Sequence, residues 1–459
     1  MHGLVHAQEL RHSIPVLPVT PDTLSGWVDG QPERVARWVS AQAFRGAPDK
    51  VLSIPDEEGG VERVLYGRGP GEGPWPWAAL RGQLPRGSYR LEGVEDPAER
   101  ERAALAWALA GYRFDRYRSH PSSGAELEWP GCDEGRVLRL ADGVCLARDL
   151  VNTPAKDLGP GELAGAVDEL GSRHGAKVSI LRGQDLLDEN YPSVHAVGRA
   201  ASREPRLADL TWGDPGAPKL TLVGKGVVFD SGGLDIKPAE GMKLMKKDMG
   251  GAAAVIGLAH AVMDAKLPVR LRVLVPAVEN AIAGNAFRPM DVLSTRKGIT
   301  VEVGNTDAEG RLILCDALFE ADSEEPDLIL DFATLTGAAR VALGTELPAL
   351  FAQGEDWCAE MLEEGVKEGD PLWRMPLHRA YRRFLDSPVA DLNNIGSSRT
   401  GGAITAALFL NEFVDAGTNW GHVDTMGWNE HSRPGRPAGG EGFGIRAAYA
   451  MLERRYGKG

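Results

Sequence analysis

Cysteine is scarce in this chain. Of 459 residues only Cys132, Cys145, Cys315 and Cys358 are cysteines, and no CxxC pair occurs among them. Four widely spaced thiols are too few to staple a chain of this length, so a disulfide scaffold is excluded and reduced, mostly buried cysteines are expected. Long apolar runs are also lacking. The opening MHGLVHAQELRHSIP carries charges and histidines where a signal peptide needs an apolar stretch, so no membrane association and a cytoplasmic location are expected. Positive charge is in deficit, with 51 Lys plus Arg against 65 Asp plus Glu and a formal net charge of −14. Such a field repels a phosphate backbone, and no nucleic-acid partner is expected. Two catalytic signatures are absent as well. Without HExxH the common zinc-protease helix is missing, and without a GxSxG elbow Ser231 has no obvious base.

Hydrophobic residues at 43% and charged residues at 25% describe an ordinary globular protein, and the length exceeds the usual size of one core, so two domains are expected. The early part mixes short apolar runs with interruptions such as GRGPGEGPWP from Gly67 to Pro76, followed by a helical stretch around Ala103–Tyr112. A break at His120–Gly131 ends the first domain near residue 130. Val137, Ala141, Val144 and Cys145 then recur at helical steps and predict a connecting helix over 131–150. In the domain expected at 151–459, strand-like runs alternate with helix-like ones. They are LTLVGKGVVF from Leu220, GGAAAVIGLAHAVMD from Gly250, VRLRVLVPAV from Val269 and DLILDFATL from Asp327, with further helices at Gly402–Ala416 and Phe443–Arg455. This alternation predicts an α/β domain with a largely parallel sheet and ligands beyond the carboxyl ends of its strands.

The chemistry gathers in that region. The run Gly224 to Gly233 contains Lys225 and Asp230 among glycines, and Lys237, Lys247 and Asp248 follow. A second segment, Asn305-Thr306-Asp307-Ala308-Glu309-Gly310-Arg311, spaces Asp307, Glu309 and Arg311 by two, so that an extended backbone would point all three to one side. Grouped carboxylates resist joint ionisation unless a cation neutralises them, and oxygen-rich donors suit Mn²⁺ or Mg²⁺ as well as Zn²⁺. The competing expectation is a solvated charged turn, with Lys225 and Asp230 as a surface ion pair.

GKGVVFDSGG, KDMGGAA and NTDAEGRLILCDAL closely resemble signature segments of the leucine aminopeptidase (cytosol aminopeptidase) family, and ARDLVNTPA from Ala147 and ATLTGA from Ala333 fit the same pattern. The resemblance covers about residues 147 to 430 and implies the two-domain fold: a smaller N-terminal α/β domain (1–130), the connecting helix (131–150) and a larger catalytic domain (151–459) with a central mixed, mostly parallel sheet flanked by helices. It also implies two divalent metal ions per subunit, with Lys225, Asp230, Asp248 and Glu309 on one and Asp230, Asp307 and Glu309 on the other. The expected ions are Zn²⁺ or Mn²⁺, with Mg²⁺ or Co²⁺ as substitutes. By the same resemblance Lys237 donates to the oxyanion, and Arg311 holds a bicarbonate ion that serves as general base. Met245, Thr334, Gly337 and Met426 would surround the first side chain, with the Leu335 backbone near the substrate. Peptides with a free N-terminus and a homohexamer complete the expectation. Met426 departs from the better-known members, where that residue is small; Cys315 and Lys246-Lys247 depart mildly. A two-metal phosphoesterase and a non-catalytic scaffold are the competing functions. Net charge and Lys225 as a ligand weigh against the first, and the full set of site residues against the second.

Overall fold

The computed structural model describes residues 2–9, 12–119 and 124–457. The first residues of the expected break at His120–Gly131 lie outside them. The chain divides into two compact units, Met1–Ala141 with Val366–Gly369 and His431–Pro437, and Asp142–Gly365 with Asp370–Glu430 and Ala438–Gly459.

The first unit is built on six strands in the order Leu4–Val5, Ala125–Glu128, Gly87–Leu91, Ile14–Val19, Val61–Gly67, Val51–Pro55. All neighbours are parallel except the final pair. Alternation along the strands sorts their side chains into two cores. Val64 and Tyr66 pack with Trp77, Tyr89 and Trp107, whereas Leu65 between them packs with Leu24, Val35 and Val39. GRGPGEG leaves the strand Val61–Gly67 through bends and is followed by a single 3-10 turn, Trp75–Trp77, and the four-residue helix Leu80–Gln83.

The second unit centres on nine strands. In order across the sheet they run Trp373–Arg374, Ala349–Gln353, Trp420–Asp424, Leu328–Ala333, Lys219–Gly224, Arg270–Asn280, Arg206–Trp212 and Lys177–Arg182, with Gly226–Asp230 paired beside Arg270–Asn280. The central neighbours are parallel and antiparallel pairs flank them, giving the mixed, mostly parallel sheet expected. Helices pack on it in two groups, Pro160–His174, Gly250–Asp264 and Ile445–Tyr456 in one, Pro192–Gly198, Gly310–Asp322 and Gly402–Asn411 in the other. Leu328–Ala333 is buried at every position, the mark of a strand covered on both faces. The Ala-rich helix Gly250–Asp264 is buried from Gly250 through Met263, so apolar residues occupy its whole circumference. It lies so close to the sheet that a Cβ on Gly251 would stand 2.0 Å from the Phe332 carbonyl oxygen.

One expected strand is divided. LTLVGKGVVF breaks at Lys225 into Lys219–Gly224 and Gly226–Asp230. The Lys225 amide donates to Phe332 O (3.0 Å) and its carbonyl accepts from Ala252 N (2.9 Å), which diverts the chain from one neighbour to another. Among the described residues no helix is long and apolar enough to cross a membrane, and all four cysteines are free, three of them buried.

Candidate active site

The polar residues that matter follow the strand ends. Lys225 sits at the strand break, Asp230 ends the next strand, and Asp248 lies between a short turn, Met245–Lys247, and the helix Gly250–Asp264. Thr334 and Leu335 follow Leu328–Ala333, and Thr425 and Met426 follow Trp420–Asp424. They line one cavity of about 530 Å³. Asp307, Glu309, Lys237, Met245 and Gly337 line it too.

Asp307 and Glu309 arrive differently from the expectation. The NTDAEGRL segment is not extended. Asn305 Oδ1 accepts from the Asp307 amide (2.7 Å) and Asn305 O from Ala308 N (3.3 Å), closing a turn that delivers Glu309 as the residue before the helix Gly310–Asp322. Arg311 falls inside the helix. It is buried, donates from Nη1 to Asn394 O (2.6 Å), and leaves Nε without a partner. Arg311 is the one expected site residue that does not line the cavity.

The turn is braced from a distance. Asn394 Oδ1 accepts from the amides of Gly304 (2.7 Å) and Asn305 (3.2 Å). Thr306 accepts from Asp235 N (2.8 Å) and donates to Gly232 O (2.6 Å). Gly232 has φ +88°, and a Cβ there would lie 2.5 Å from Asp235 O and 3.1 Å from Asp307 Oδ1, so only glycine fits between the two acidic loops. Asn280 Nδ2 donates to Asp230 Oδ1 (2.8 Å) and to Thr306 O (3.1 Å), tying the first loop to the second.

Two lysines hold the carboxylates together. Lys225 Nζ lies 2.7 Å from Asp248 Oδ2 and 3.0 Å from Glu309 Oε1, and donates to Thr334 O at 3.0 Å. Lys237 Nζ lies 2.8 Å from Asp230 Oδ2 and 2.5 Å from Asp307 Oδ1. The alternative of a surface Lys225–Asp230 pair is thereby overturned, since Lys225 is 3% exposed and its partners are Asp248 and Glu309. Burial alone would lower both ammoniums, but Asp248 and Glu309 on Lys225, and Asp230 and Asp307 on Lys237, hold them above the usual lysine range.

Four carboxylates face two ammoniums, a surplus of two negative charges. The strain of that surplus is visible in the acids: burial and Asp230 push Asp307 up to about 6 and Glu309 well above its ordinary value. Oxygens of Asp230, Asp307 and Glu309 lie within 4.8 Å of one another, and buried Glu309 Oε2 has no hydrogen-bond partner. A divalent cation fits this donor set in charge, in hard oxygen chemistry and in the unsatisfied Glu309 oxygen.

Asp424 and Arg340 contribute from outside the signature segments, beside Thr334 and Lys247 from within them. Buried Asp424 accepts from the amides of Leu335 (2.9 Å) and Thr336 (3.1 Å) and from Thr336 Oγ1 (2.6 Å), and so shapes the loop at Leu335. Thr334 Oγ1 donates to Asp248 Oδ1 (2.8 Å). Lys247 and Arg340 also line the cavity. The isolated histidines are structural: His422 Nδ1 meets Asp331 Oδ1 at 2.6 Å on the adjacent strand, His260 pairs with His174, and His378 stacks edge-on to Tyr381.

A sheet covered on both faces, with an acidic, lysine-braced cavity at its strand ends, has the build of a metal-dependent α/β hydrolase. Residues 145–449 match the cytosol aminopeptidase family, catalytic domain, and residues 14–130 match the M17 aminopeptidase, N-terminal domain. A probable cytosol aminopeptidase from Chlorobaculum tepidum is 40% identical over 394 residues, 80% of this chain and 78% of that protein. The crystal structure of cytosol aminopeptidase from Coxiella burnetii superposes with a TM-score of 0.96 at 49% identity, covering 99% of this chain and all of that one. The bottromycin maturation enzyme BotP in complex with Mn gives 0.86 at 35% identity, over 97% of this chain and 99% of BotP. The chain belongs to the cytosol aminopeptidase family and is an aminopeptidase, a hydrolase.

Proposed function

We propose that this enzyme removes the N-terminal residue of peptides at the cavity between Lys225 and Met426, with two divalent cations held by its carboxylates. Lys225, Asp230, Asp248 and Glu309 would hold one ion and Asp230, Asp307 and Glu309 the other, with Lys225 giving up the proton that Asp248 and Glu309 stabilise in the metal-free site, because an ammonium has no lone pair to offer a cation. The observation that carries the reading is the surplus of carboxylate over ammonium around buried Glu309, whose Oε2 has no hydrogen-bond partner. When bound, such a pair supplies an activated water, a ligand position for the free α-amine and polarisation of the scissile carbonyl.

The protein's own groups do the rest. Lys237 is charged and faces the cavity, and it donates to the oxygen that becomes negative as the peptide carbonyl turns tetrahedral. Arg311, which lies outside the cavity lining but leaves Nε unpartnered, would hold a bicarbonate ion, and that ion would supply the proton acceptor that the protonated guanidinium cannot be. Met245, Thr334, Gly337 and Met426 surround the first side chain. The Leu335 backbone, fixed by Asp424, aligns the substrate. Zn²⁺ or Mn²⁺ as the native ions, with Mg²⁺ or Co²⁺ able to substitute, a homohexamer and a cytoplasmic location belong to the same proposal.

The test compares the metal-supplemented enzyme on leucyl-p-nitroanilide, its N-acetyl derivative and a nitrophenyl phosphate diester. Cleavage of the free-amine anilide alone is expected. Equal cleavage of the acetylated anilide would remove the amine from recognition, and turnover of the diester instead would replace the peptidase reading with a phosphoesterase.

A further inference from the structure

The cavity contains a second charged feature beside the carboxylate cluster. Lys247 ends the turn Met245–Lys247 and lines the cavity together with Arg340. It is 5% exposed, yet its ammonium makes no hydrogen bond or ion pair with any described residue. Its neighbours are all engaged. Lys225 and Lys237 each hold two carboxylates, and Lys246 donates to Asn152 O (2.6 Å) with its ammonium 5.3 Å from the Trp428 ring centroid.

A buried charge without a counter-charge is costly, and a ligand that brings the opposite charge relieves that cost. The acids nearby do not supply it. Asp248 is taken by Lys225 and Thr334, Asp424 by Leu335 and Thr336, and Glu240 on the cavity wall is exposed. Arg340 brings a second cation to the same wall, its Nη1 lying 3.8 Å from the Met426 sulfur. Met245, Thr334, Gly337 and Met426 complete the wall, and these are the residues assigned above to the first side chain.

We propose that Lys247, supported by Arg340, makes the pocket for the first residue a carboxylate-binding one, so that peptides beginning with Glu or Asp are preferred substrates. This rests on the aminopeptidase reading and narrows its substrate class. Lys247 is a specificity residue; the water-activating groups are elsewhere.

The experiment measures kcat/KM of the metal-loaded enzyme for glutamyl-, glutaminyl- and leucyl-p-nitroanilides, in wild type, Lys247→Met and Arg340→Gln. Glutamine has nearly the shape of glutamate without its charge, so the Glu/Gln ratio isolates the ion pair. A charge-assisted hydrogen bond predicts a wild-type ratio of about tenfold to a hundredfold, falling to about one in Lys247→Met and part of the way in Arg340→Gln. A wild-type ratio near one, or a ratio unmoved by Lys247→Met while leucyl cleavage persists, overturns the proposal. If Lys247→Met instead abolishes a preference for Leu-Gly over Leu-Gly-amide and leaves the Glu/Gln ratio unchanged, the carboxylate bound is the peptide C-terminus and the proposal fails. Should no aminoacyl anilide be cleaved, the aminopeptidase reading itself fails. Calorimetry with L-glutamate against L-glutamine then decides separately whether Lys247 binds a carboxylate, because tighter glutamate binding lost in Lys247→Met requires no turnover.

Discussion

Gly310 opens the helix that carries the site's densest motif, and its missing Cβ is filled by Lys225. A Cβ at Gly310 would stand 2.3 Å from Lys225 Cε and 2.7 Å from Nζ. Ordinary carbon contacts are about 3.5–4.0 Å, so Gly310→Ala requires the lysine to retreat by more than about 1 Å. It cannot do so cheaply, because Asp248, Glu309 and the Thr334 carbonyl fix Nζ at 2.7 to 3.0 Å. Overpacking of this kind costs about 1–3 kcal/mol, offset by at most about 1 kcal/mol of alanine helix propensity. A displacement of about 1 Å in a catalytic constellation costs on the order of a hundredfold in rate. The expected result is a folded Gly310→Ala enzyme with about a hundredfold lower kcat/KM on leucyl-p-nitroanilide and weaker metal retention. Gly165 provides the contrast: it lies in the helix Pro160–His174, and a Cβ added there would meet nothing within 4 Å, so Gly165→Ala should gain up to about 1 kcal/mol and leave activity unchanged. Thermal unfolding, metal analysis and steady-state kinetics of both variants make the comparison. A Gly310→Ala enzyme with wild-type activity and metal content would refute the claim that Lys225 is locked in the site.

Glu309→Gln and Asp307→Asn remove ligand charge without core volume, so each should lose most activity and much of the bound metal while circular dichroism stays native; normal turnover with full occupancy would contradict the assignment. Met426→Ala should raise the leucyl-over-alanyl ratio of specificity constants by enlarging the pocket for the first side chain, and an unchanged ratio would return Met426 to packing alone. Arg148, fully buried, grips Glu441 at 3.0 and 2.9 Å, so Arg148→Met should cost about 3–5 kcal/mol by leaving that carboxylate without its cation, as read by denaturant unfolding. Burial would raise the Glu441 carboxyl, but Arg148 outweighs it and holds the group below its ordinary 4.5. The stability it adds is therefore present above pH 4.5 and lost as pH falls further, and the gap between wild type and Arg148→Met should narrow in acid. A gap constant across that range would show that Glu441 titration contributes nothing.

Sequence patterns expose the residues of the site better than the backbone that presents them. The clustered acids and lysines of Gly224–Gly251 and Asn305–Arg311 stand out because grouped like charges are rare unless something neutralises them, and the structure brings them into one cavity. The two-residue spacing suggests an extended segment, whereas the Asn305 side chain closes a turn and Glu309 starts a helix. A spacing of two does not distinguish a strand from a turn entering a helix when the decisive hydrogen bonds come from side chains. Lys225 reads as part of a continuous strand because its neighbours are apolar; the break there depends on partners at Ala252 and Phe332, remote in sequence. Asn280, Asn394 and Asp424 are inconspicuous for a related reason. Each acts by holding backbone 26 to 90 residues away, and an isolated polar residue gives no periodic signal. The main helices are legible to within a few residues, since Gly250–Asp264 and Glu134–Asn152 are long and uninterrupted by proline.

Every role proposed for the cavity depends on the carboxylates around Glu309 holding the metal that peptide-bond hydrolysis needs. Chelator-stripped enzyme titrated with Mn²⁺ or Zn²⁺ puts that dependence to the test, with bound metal per chain and leucyl-p-nitroanilide hydrolysis recorded in the same samples for wild type and Glu309→Gln. Activity that rises with occupancy towards two ions per chain in wild type, with both lost in the variant, is the predicted result. Full hydrolysis by the stripped enzyme, or a Glu309→Gln protein that binds two ions and turns over normally, would contradict it.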